Sequence, residues 1–278
     1  MKKMEAFVPK LQNLHSHTTY CDGTLTLEQM VMAAIDKGCD SFGFSGHSYA
    51  PFDEKHCMSL GNTRRYMQEI ERLKEKYGGQ IELFAGLEQE YLGDSIPEDF
   101  DFIIGSVHYI KNGDALVCVD GGAKAQKQEC DANYGGDYYA MAEAYFATVA
   151  NVAVKTKADI IGHFDLIAKY NHNGCLFDEA HPRYVGAALE AMDEILKTHK
   201  LFEVNTGAMF SFGKPEPYPS VLLLKELFKR GGEVILSSDS HRGESICHKF
   251  GEMRELLKNC GFRHMKQLTR EGFVDVPV

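Results

Sequence analysis

The sequence predicts an α/β fold in which seven β-strands alternate with helices and wind into a barrel. Short apolar runs alternate with amphipathic helical patterns along most of the 278 residues, an order that favours parallel strands joined by right-handed crossovers. Nearly every apolar run ends in a histidine, a carboxylate or an asparagine. The C-terminal ends of all the strands meet on one face of a parallel barrel, whereas an open sheet brings together only the strand ends near a switch point. We therefore predict a closed or nearly closed barrel.

The first half of the chain shows the strand and helix alternation most clearly. The apolar run that ends at His15-Ser16-His17 is followed by a helix that starts with a capping box, Thr26 and Gln29, and ends at Gly38. A second helix is predicted over residues 62–77, where apolar residues recur at helical spacing. Strands are predicted at residues 13–17, 41–45, 81–86 and 100–106, with no clear helix between the last two.

The second half continues this order after one interruption. Residues 109–136 are polar, rich in glycine and aspartate and longer than an ordinary connection, which predicts a flap or lid in place of a core element. A proline-rich loop, residues 214–220, is expected to precede a helix that ends at Arg230. Strands are predicted at 159–162, 201–204 and 233–237, and helices at 137–157, 179–199 and 244–259. The tail has too weak an apolar pattern to assign, and residues 1–278 are predicted to form one domain.

Composition disfavours several functional classes. The formal charge of −10 has no compensating basic run, so binding to nucleic acid is not expected. No stretch approaches the ~20 apolar residues of a membrane span. The eight cysteines are scattered without a CxxC pair, as is typical of reduced thiols. We expect a cytoplasmic protein that acts on a small molecule.

Polar residues that bind metals gather at the predicted strand ends. His15 and His17 are two residues apart in an extended segment, so they face the same side and form half of a metal site. Glu88 follows an apolar run, where a buried carboxylate is costly unless a cation faces it. Asp22 also fits an Asx-turn, and Asp239 also fits the N-cap of the last helix. The residues at strand ends are His15, His17, His47, Glu88, His108, His163, Asn205 and Asp239.

Ordered motifs along nearly the whole chain resemble the polymerase-and-histidinol-phosphatase (PHP) superfamily. These motifs are His15-Ser16-His17, Gly46-His47, Gly86-Leu87-Glu88, Ser106-Val107-His108, Gly162-His163-Phe164-Asp165 and Ser238-Asp239-Ser240-His241. Other stretches are similar to stand-alone histidinol-phosphatases of histidine biosynthesis, namely residues 105–110, 134–137, 162–167 with 169–171, and 203–207. The resemblance implies a distorted seven-stranded (β/α) barrel with three metals at the C-terminal ends of the strands.

Carried over residue by residue, the resemblance implies three divalent transition-metal ions, with Glu88 bridging two of them. The first ion is expected on His15, His17, Glu88 and Asp239, the second on Glu88, His108 and His163, and the third on Asp22, His47 and His241. All are nitrogen or oxygen ligands, which suit Zn, Fe or Mn. Asp165 is expected to support a ligand or to cap the following turn.

The resemblance implies a metal-dependent phosphomonoesterase that hydrolyses L-histidinol phosphate. A hydroxide bridging two ions would attack phosphorus in line, and no phosphoenzyme is needed. The sequence has neither a glycine-rich phosphate loop nor a GxSxG elbow. The expected catalytic residues are Glu88, Asp239 and His241, and either His241 or a metal-bound water would give a proton to the leaving alkoxide.

The substrate-binding residues depart from the family pattern, and two other functions stay open. Relatives place phosphate-binding arginines after the Asn-Thr pair, but residues 205–214 contain none. The expected phosphate contacts are therefore Lys214, Lys169 and Asn205, although a solvated lysine is the alternative. The rival enzyme is a PHP phosphoesterase of nucleotides, oligonucleotides or phosphotyrosine, which a basic strip would support. The rival outside catalysis is a non-catalytic metal-binding module, which the presence of all nine ligands disfavours.

Overall fold

A computed structural model describes residues 10–94 and 99–278. Its strands are β1 (Gln12–Asn13), β2 (Ser41–Phe44), β3 (Glu82–Glu90), β4 (Phe102–Ser106), β5 (Tyr109–Asn112), β6 (Ala115–Cys118), β7 (Ile160–Ile161), β8 (Leu201–Asn205), β9 (Glu233–Ser237), β10 (His264–Thr269) and β11 (Gly272–Pro277). Its helices are α1 (Leu27–Asp36), α2 (Leu60–Tyr77), α3 (Ala123–Tyr134), α4 (Tyr138–Val149), α5 (Val152–Thr156), α6 (Pro182–Ile195), α7 (Gly207–Phe212), α8 (Val221–Lys229) and α9 (Phe250–Cys260).

Seven of the described strands form a parallel sheet in the order β1-β2-β3-β4-β7-β8-β9. Its two edges meet just beyond β1 and β9. The His17 amide donates to the Ser240 carbonyl over 2.9 Å, and the Ser240 amide donates to the His15 carbonyl over 3.0 Å. The sheet is therefore a nearly closed barrel, which confirms the predicted fold class and the seven predicted strands.

The interior of the barrel changes from apolar to polar along the strands. Because side chains alternate across a strand, Phe84 and Glu88 of β3 point into the barrel while Leu83 and Leu87 pack against the helices α1 and α2. The apolar interior cluster comprises Leu14, Phe84, Phe102, Ile104, Ile160, Leu201, Ile235 and Leu268. The polar layer that contains Glu88 lies nearer the C-terminal ends of the strands, which places the predicted ligands together.

Two of the expected helices differ clearly from the structure, and one short helix of the structure was not expected. The helix expected over 137–157 is two helices, α4 and α5, separated at Asn151, whose side chain donates to the Ala147 carbonyl. The last helix begins at Phe250, later than expected, because Cys247 and Lys249 have positive φ values of 55° and 56°. The short helix α7 follows β8 and was not predicted.

Two segments that looked irregular in the sequence have regular structure. Residues 109–136 form the hairpin β5–β6 and the helix α3, and Ile110, Val117 and Cys130 are buried in the main apolar core. The unassigned tail is the hairpin β10–β11, whose Leu268 is buried under the barrel interior. The apolar run at residues 115–119 is short and flanked by polar residues, and the apolar residues of the tail are interrupted by polar ones, so neither segment indicated a core element. No helix in residues 10–94 and 99–278 is long and apolar enough to cross a membrane.

The close approach of β3 and β4 inside the barrel generates the first prediction. A Cβ atom at Gly86 would lie 2.2 Å from Cζ of the fully buried Phe102. We expect Gly86→Ala to lower the free energy of unfolding by about 1–3 kcal/mol, since a packed core resists extra volume. The matched control is Gly186→Ala in α6, where a Cβ meets no described atom within 4 Å. The control should stabilise the helix by roughly 0.5–1 kcal/mol. Denaturant unfolding of both variants tests this, and equal effects would contradict it.

Candidate metal centre

The structure brings all nine predicted ligands together at the C-terminal ends of the barrel strands. Within each of three groups, the potential ligand atoms lie within 4.8 Å of one another. The groups are His17, Asp22, His47 and His241; His15, His17 and Asp239; and His47, Glu88 and His108. The ninth ligand, His163, joins them because its Nε2 lies 2.9 Å from Oε1 of Glu88. One continuous cluster of imidazoles and carboxylates is the result.

Glu88 is at the centre of this cluster and is only 1% exposed. Five histidines face its carboxylate, at distances of 2.8 Å for Nδ1 of His47, 2.9 Å for Nε2 of His163, 3.4 Å for Nε2 of His15, 3.5 Å for Nε2 of His17 and 3.5 Å for Nε2 of His108. A carboxylate shared by so many ligand rings fits the bridging role expected from the sequence.

The cluster fits divalent cations because its ligand atoms lack other partners. Five buried ligand atoms of the cluster have no hydrogen-bond partner among the described residues. They are Nε2 of His15, Nε2 of His17, Oδ1 of Asp22, Oε2 of Glu88 and Oδ1 of Asp239. Each unpaired buried polar atom costs about 1–3 kcal/mol. Converging nitrogen and oxygen lone pairs are satisfied by transition-metal ions, and these residues would hold them.

Electrostatics favour the metal-binding forms of His17 and Glu88. Burial, together with the neighbouring His241 and His47, lowers the pKa of His17 to about 4, so its ring is neutral at pH 7. Burial opposes ionisation of Glu88, but the facing His47, His15 and His108 outweigh it and hold the pKa of Glu88 well below its usual range. A neutral imidazole and an ionised carboxylate are the forms that bind metals.

Asp22 and Asp239 adopt positions that favour the ligand interpretation over the alternatives. The Asp22 carboxylate accepts from Nε2 of His241 over 3.2 Å and lies 3.6 Å from Nε2 of His47. The turn behind it is tight, because a Cβ at Gly23 would lie 2.4 Å from the carbonyl carbon of His17. Asp239 has a positive φ of 45° and lies far from the start of α9, so it does not cap that helix.

Two further carboxylates support the cluster and were not predicted as site residues. Glu203 accepts from Nδ1 of His15 over 2.8 Å, and Glu90 accepts from Nδ1 of His108 over 2.9 Å. Both are buried. Like Glu88, Glu203 is a carboxylate within an apolar strand. This feature of the sequence could have identified Glu203 as a site residue.

A cavity of about 340 Å³ opens beside the ligands Asp22, His47 and His108. Its other walls include Asp53, Tyr109, Asp120, Lys169 and Tyr170. Nζ of Lys169 lies 3.0 Å from Oδ2 of Asp120. The segment that was expected to be a flap therefore supplies part of this wall through Tyr109 and Asp120. The cavity can admit a small molecule next to the cluster.

The three expected phosphate contacts have different surroundings. Lys169 lines the cavity beside the ligands. Asn205 is engaged with the protein, since its amide donates to Glu203 over 2.8 Å and its carbonyl oxygen accepts from the Gly207 amide. Lys214 is 7% exposed, which excludes a solvated lysine, and its Nζ lies 5.4 Å from the centre of the Tyr218 ring.

Lys214 lines a second cavity, together with Asn171 and Ser220, and is not among the residues that line the cavity beside the ligands. Lys214 interacts electrostatically with the buried Asp165. Burial raises the pKa of Asp165 to about 7, although the attraction of Lys214 opposes this rise. Of the two lysines, the structure therefore brings only Lys169 to the metal cluster.

Residues 13–207 match the PHP domain family, and the chain belongs to this family. It is 28% identical over 270 residues to a protein of Deinococcus radiodurans named "Probable histidinol-phosphatase", covering 91% of this chain and 96% of the relative. It is 23% identical over 260 residues to the histidinol-phosphatase of Bacillus subtilis, covering 85% and 95%. The family predicted from the ordered motifs is confirmed.

Solved structures support the fold. A histidinol phosphate phosphatase of Lactococcus lactis, crystallised with Zn, L-histidinol and phosphate, superposes with a TM-score of 0.68 at 23% identity, covering 95% of this chain and 99% of its own. A structure from Listeria monocytogenes gives a TM-score of 0.74 at 17% identity, covering 87% and 99%. Both show the same barrel architecture.

The central place of Glu88 generates a second prediction. Glu88→Gln should weaken zinc binding, because the change removes a negative charge that five ligand rings face. Zinc at 100 times its dissociation constant stabilises a folded protein by about 2.7 kcal/mol, so the zinc-dependent rise in Tm should shrink or vanish in this variant. Glu82→Gln, at the other end of β3 and paired with Arg270, is the control and should keep the full rise. An unchanged zinc response in Glu88→Gln would contradict a central role.

Proposed function

We propose that this protein is a metal-dependent histidinol-phosphatase that hydrolyses L-histidinol phosphate to L-histidinol and phosphate. The observation that carries the proposal is the convergence of nine nitrogen and oxygen ligands beside a cavity of about 340 Å³. The named relatives and the Lactococcus lactis neighbour, which contains Zn, L-histidinol and phosphate, support the same substrate. The proposal includes a role in histidine biosynthesis in the cytoplasm, which this substrate and the eight free cysteines, all of them described, support.

We further propose three divalent ions, Zn, Fe or Mn, on the sets of ligands expected from the sequence. When bound, such ions neutralise charge on the phosphoryl group and activate water for attack. The protein contributes the ionised carboxylates of Glu88 and Asp239, whose pKa values are held well below their usual range by facing histidines against the opposing effect of burial. The carboxylates of Glu88 and Asp239 therefore determine where the metal cations would be held.

Lys169 is the proposed phosphate contact. Burial opposes its charge, but Asp120 outweighs burial and raises the pKa of Lys169 above its ordinary value, so the side chain is an ammonium at pH 7. The ring of Phe212 lies 5.4 Å from Nζ and holds the stem in place. A cation at this wall of the cavity can pair with a phosphate oxygen while the metals take the others.

The negatively charged side chains of the cavity wall suit the cationic end of L-histidinol phosphate. L-histidinol phosphate carries an ammonium and an imidazole, and the Asp53 and Asp120 carboxylates line the cavity. Asp53 accepts from the hydroxyl of Tyr109 over 2.7 Å and from Nδ1 of His56 over 2.8 Å, which fixes its position. Acidic walls repel a polyanionic substrate such as an oligonucleotide.

His241 is the proposed proton donor to the leaving alkoxide when its ring is not a metal ligand. Its side chain is 35% exposed, the most of the nine ligands. Burial opposes its charge, but Asp22 and Asp239 outweigh burial and raise the pKa of His241. The ring therefore holds a proton more readily than a free histidine.

The proposed function is tested with a panel of phosphate esters and metal-loaded protein. We expect kcat/KM for L-histidinol phosphate to exceed that for nucleoside monophosphates and for phosphotyrosine. Nucleoside monophosphates have no ammonium, and the ammonium of phosphotyrosine lies beside a carboxylate, whereas the cationic end of L-histidinol phosphate carries no negative charge that Asp53 would repel. Removal of metal with a chelator should abolish turnover, and zinc, iron or manganese should restore it. A preference for nucleotides or phosphotyrosine would replace the proposed substrate.

The two lysines generate a further prediction. Lys169→Gln should lower kcat/KM for L-histidinol phosphate by roughly 10- to 100-fold, the effect of losing a charge-assisted hydrogen bond of about 1.5–3 kcal/mol. Lys169→Arg should recover part of the loss. Lys214→Gln is the comparison: it should lower Tm, because a buried cation beside Asp165 is lost, while kcat/KM stays near the wild-type value. A large kinetic effect of Lys214→Gln with normal stability would reverse the assignment of the two residues.

A further inference from the structure

Glu203 is a buried carboxylate that connects four strand ends of the barrel. It is 1% exposed and lies on β8. Oε1 accepts from the His163 amide over 2.6 Å and from Nδ2 of Asn205 over 2.8 Å. Oε2 accepts from Nδ1 of His15 over 2.8 Å and from the Ser237 hydroxyl over 2.6 Å. Four hydrogen-bond donors thus surround the carboxylate of Glu203, and none of them is a lysine or an arginine.

The His15 ring spans the distance between this carboxylate and the metal cluster. While its Nδ1 faces Glu203, its Nε2 lies 3.4 Å from Oε2 of Glu88 and 3.6 Å from Oδ1 of Asp239. A neutral imidazole carries one proton. If that proton is on Nδ1, it is donated to Glu203 and the Nε2 lone pair points at the cluster.

His108 has the same arrangement on the other side of the cluster. Oε2 of Glu90 accepts from both Nδ1 and the backbone amide of His108, over 2.9 Å and 3.0 Å. Nε2 of His108 lies 3.5 Å from Oε1 of Glu88. Each of the two rings therefore has one nitrogen on a buried carboxylate outside the cluster and the other nitrogen directed into it.

We propose that Glu203 and Glu90 are positioning residues that set the tautomers of His15 and His108, placing the proton on Nδ1 and leaving Nε2 free to bind a metal ion. The proposal rests on the proposed metal site and goes beyond it, because neither carboxylate is among the nine ligands of that site. Carboxylates that accept from the second nitrogen of a metal-binding histidine commonly contribute 10- to 100-fold in metal affinity.

The hydrogen bonds around Glu203 make Glu203→Gln an informative variant. The glutamine oxygen must face the His163 amide and Asn205, because both are donors there and the Asn205 orientation is fixed by its bond with the Gly207 amide. The glutamine NH2 then faces Nδ1 of His15. Nδ1 can accept from it only if the proton moves to Nε2, which removes the lone pair directed at the metals. The side-chain volume hardly changes.

The experiment measures zinc binding by competition with a chromophoric chelator on metal-free protein. We expect Glu203→Gln to raise the zinc dissociation constant roughly 10- to 100-fold, while the Tm of the metal-free protein stays close to that of the wild type. Asp165→Asn is the matched control: Asp165 is equally buried, and its carboxylate accepts from the Ser220 amide but contacts no ligand ring among the described residues. It should leave zinc affinity unchanged. Unchanged zinc affinity in Glu203→Gln would overturn the proposal, whether or not stability falls.

A second measurement does not depend on the folding of any variant. In zinc-loaded wild-type protein with ¹⁵N-labelled histidine, NMR should show the His15 ring with its proton on Nδ1 and zinc on Nε2, the signal being assigned by its loss in His15→Gln. A proton on Nε2, or zinc on Nδ1, would overturn the assignment of Glu203. Both readouts use zinc alone, so an absence of histidinol phosphate turnover would count against the proposed function and not against this inference.

Discussion

A carboxylate buried among five histidines is the constraint on which the site depends. Glu88 is almost inaccessible to water, and an ion in such a place is tolerated only when opposite charge surrounds it closely. The barrel provides this environment because strands from distant parts of the chain end at the same face. The imidazoles come from segments following β1, β2, β4 and β7, so the ligand set exists only in the folded protein.

The interior of the barrel is apolar near the N-terminal ends of the strands and polar near their C-terminal ends. The apolar part stabilises the barrel, and the polar part provides the metal ligands. The interior nearer the strand N-termini is filled by large apolar side chains, including Phe84 and Phe102, and it fixes the spacing of the strands. Packed interiors resist small displacements. The polar layer above it therefore presents its ligands at the ends of rigid strands, which is what a metal site with defined distances needs.

Charge is arranged around the cluster in a consistent way. Carboxylates outside it, Glu203 and Glu90, accept from ligand rings, and Lys169 and Asp120 form an ion pair at the cavity wall. The formal charge of −10 is thus in part a local feature, since many acidic groups surround a site that binds cations. The same acidity suits a substrate with a cationic end and disfavours a polyanion.

The sequence by itself determined the fold class, the seven barrel strands and seven of the nine residues that meet at their ends, because local periodicity and side-chain chemistry are both visible in one dimension. The other two, Asp22 and His241, came only from the resemblance of the ordered motifs to the PHP family. It did not determine contacts between residues distant along the chain. Glu203 lies 188 residues from His15, and no local pattern indicates that the two meet. Lys214 and Lys169 were both expected phosphate contacts, and only the tertiary structure placed Lys169 at the cavity and buried Lys214 beside Tyr218. Packing of non-adjacent elements decides such positions, and it depends on the whole fold.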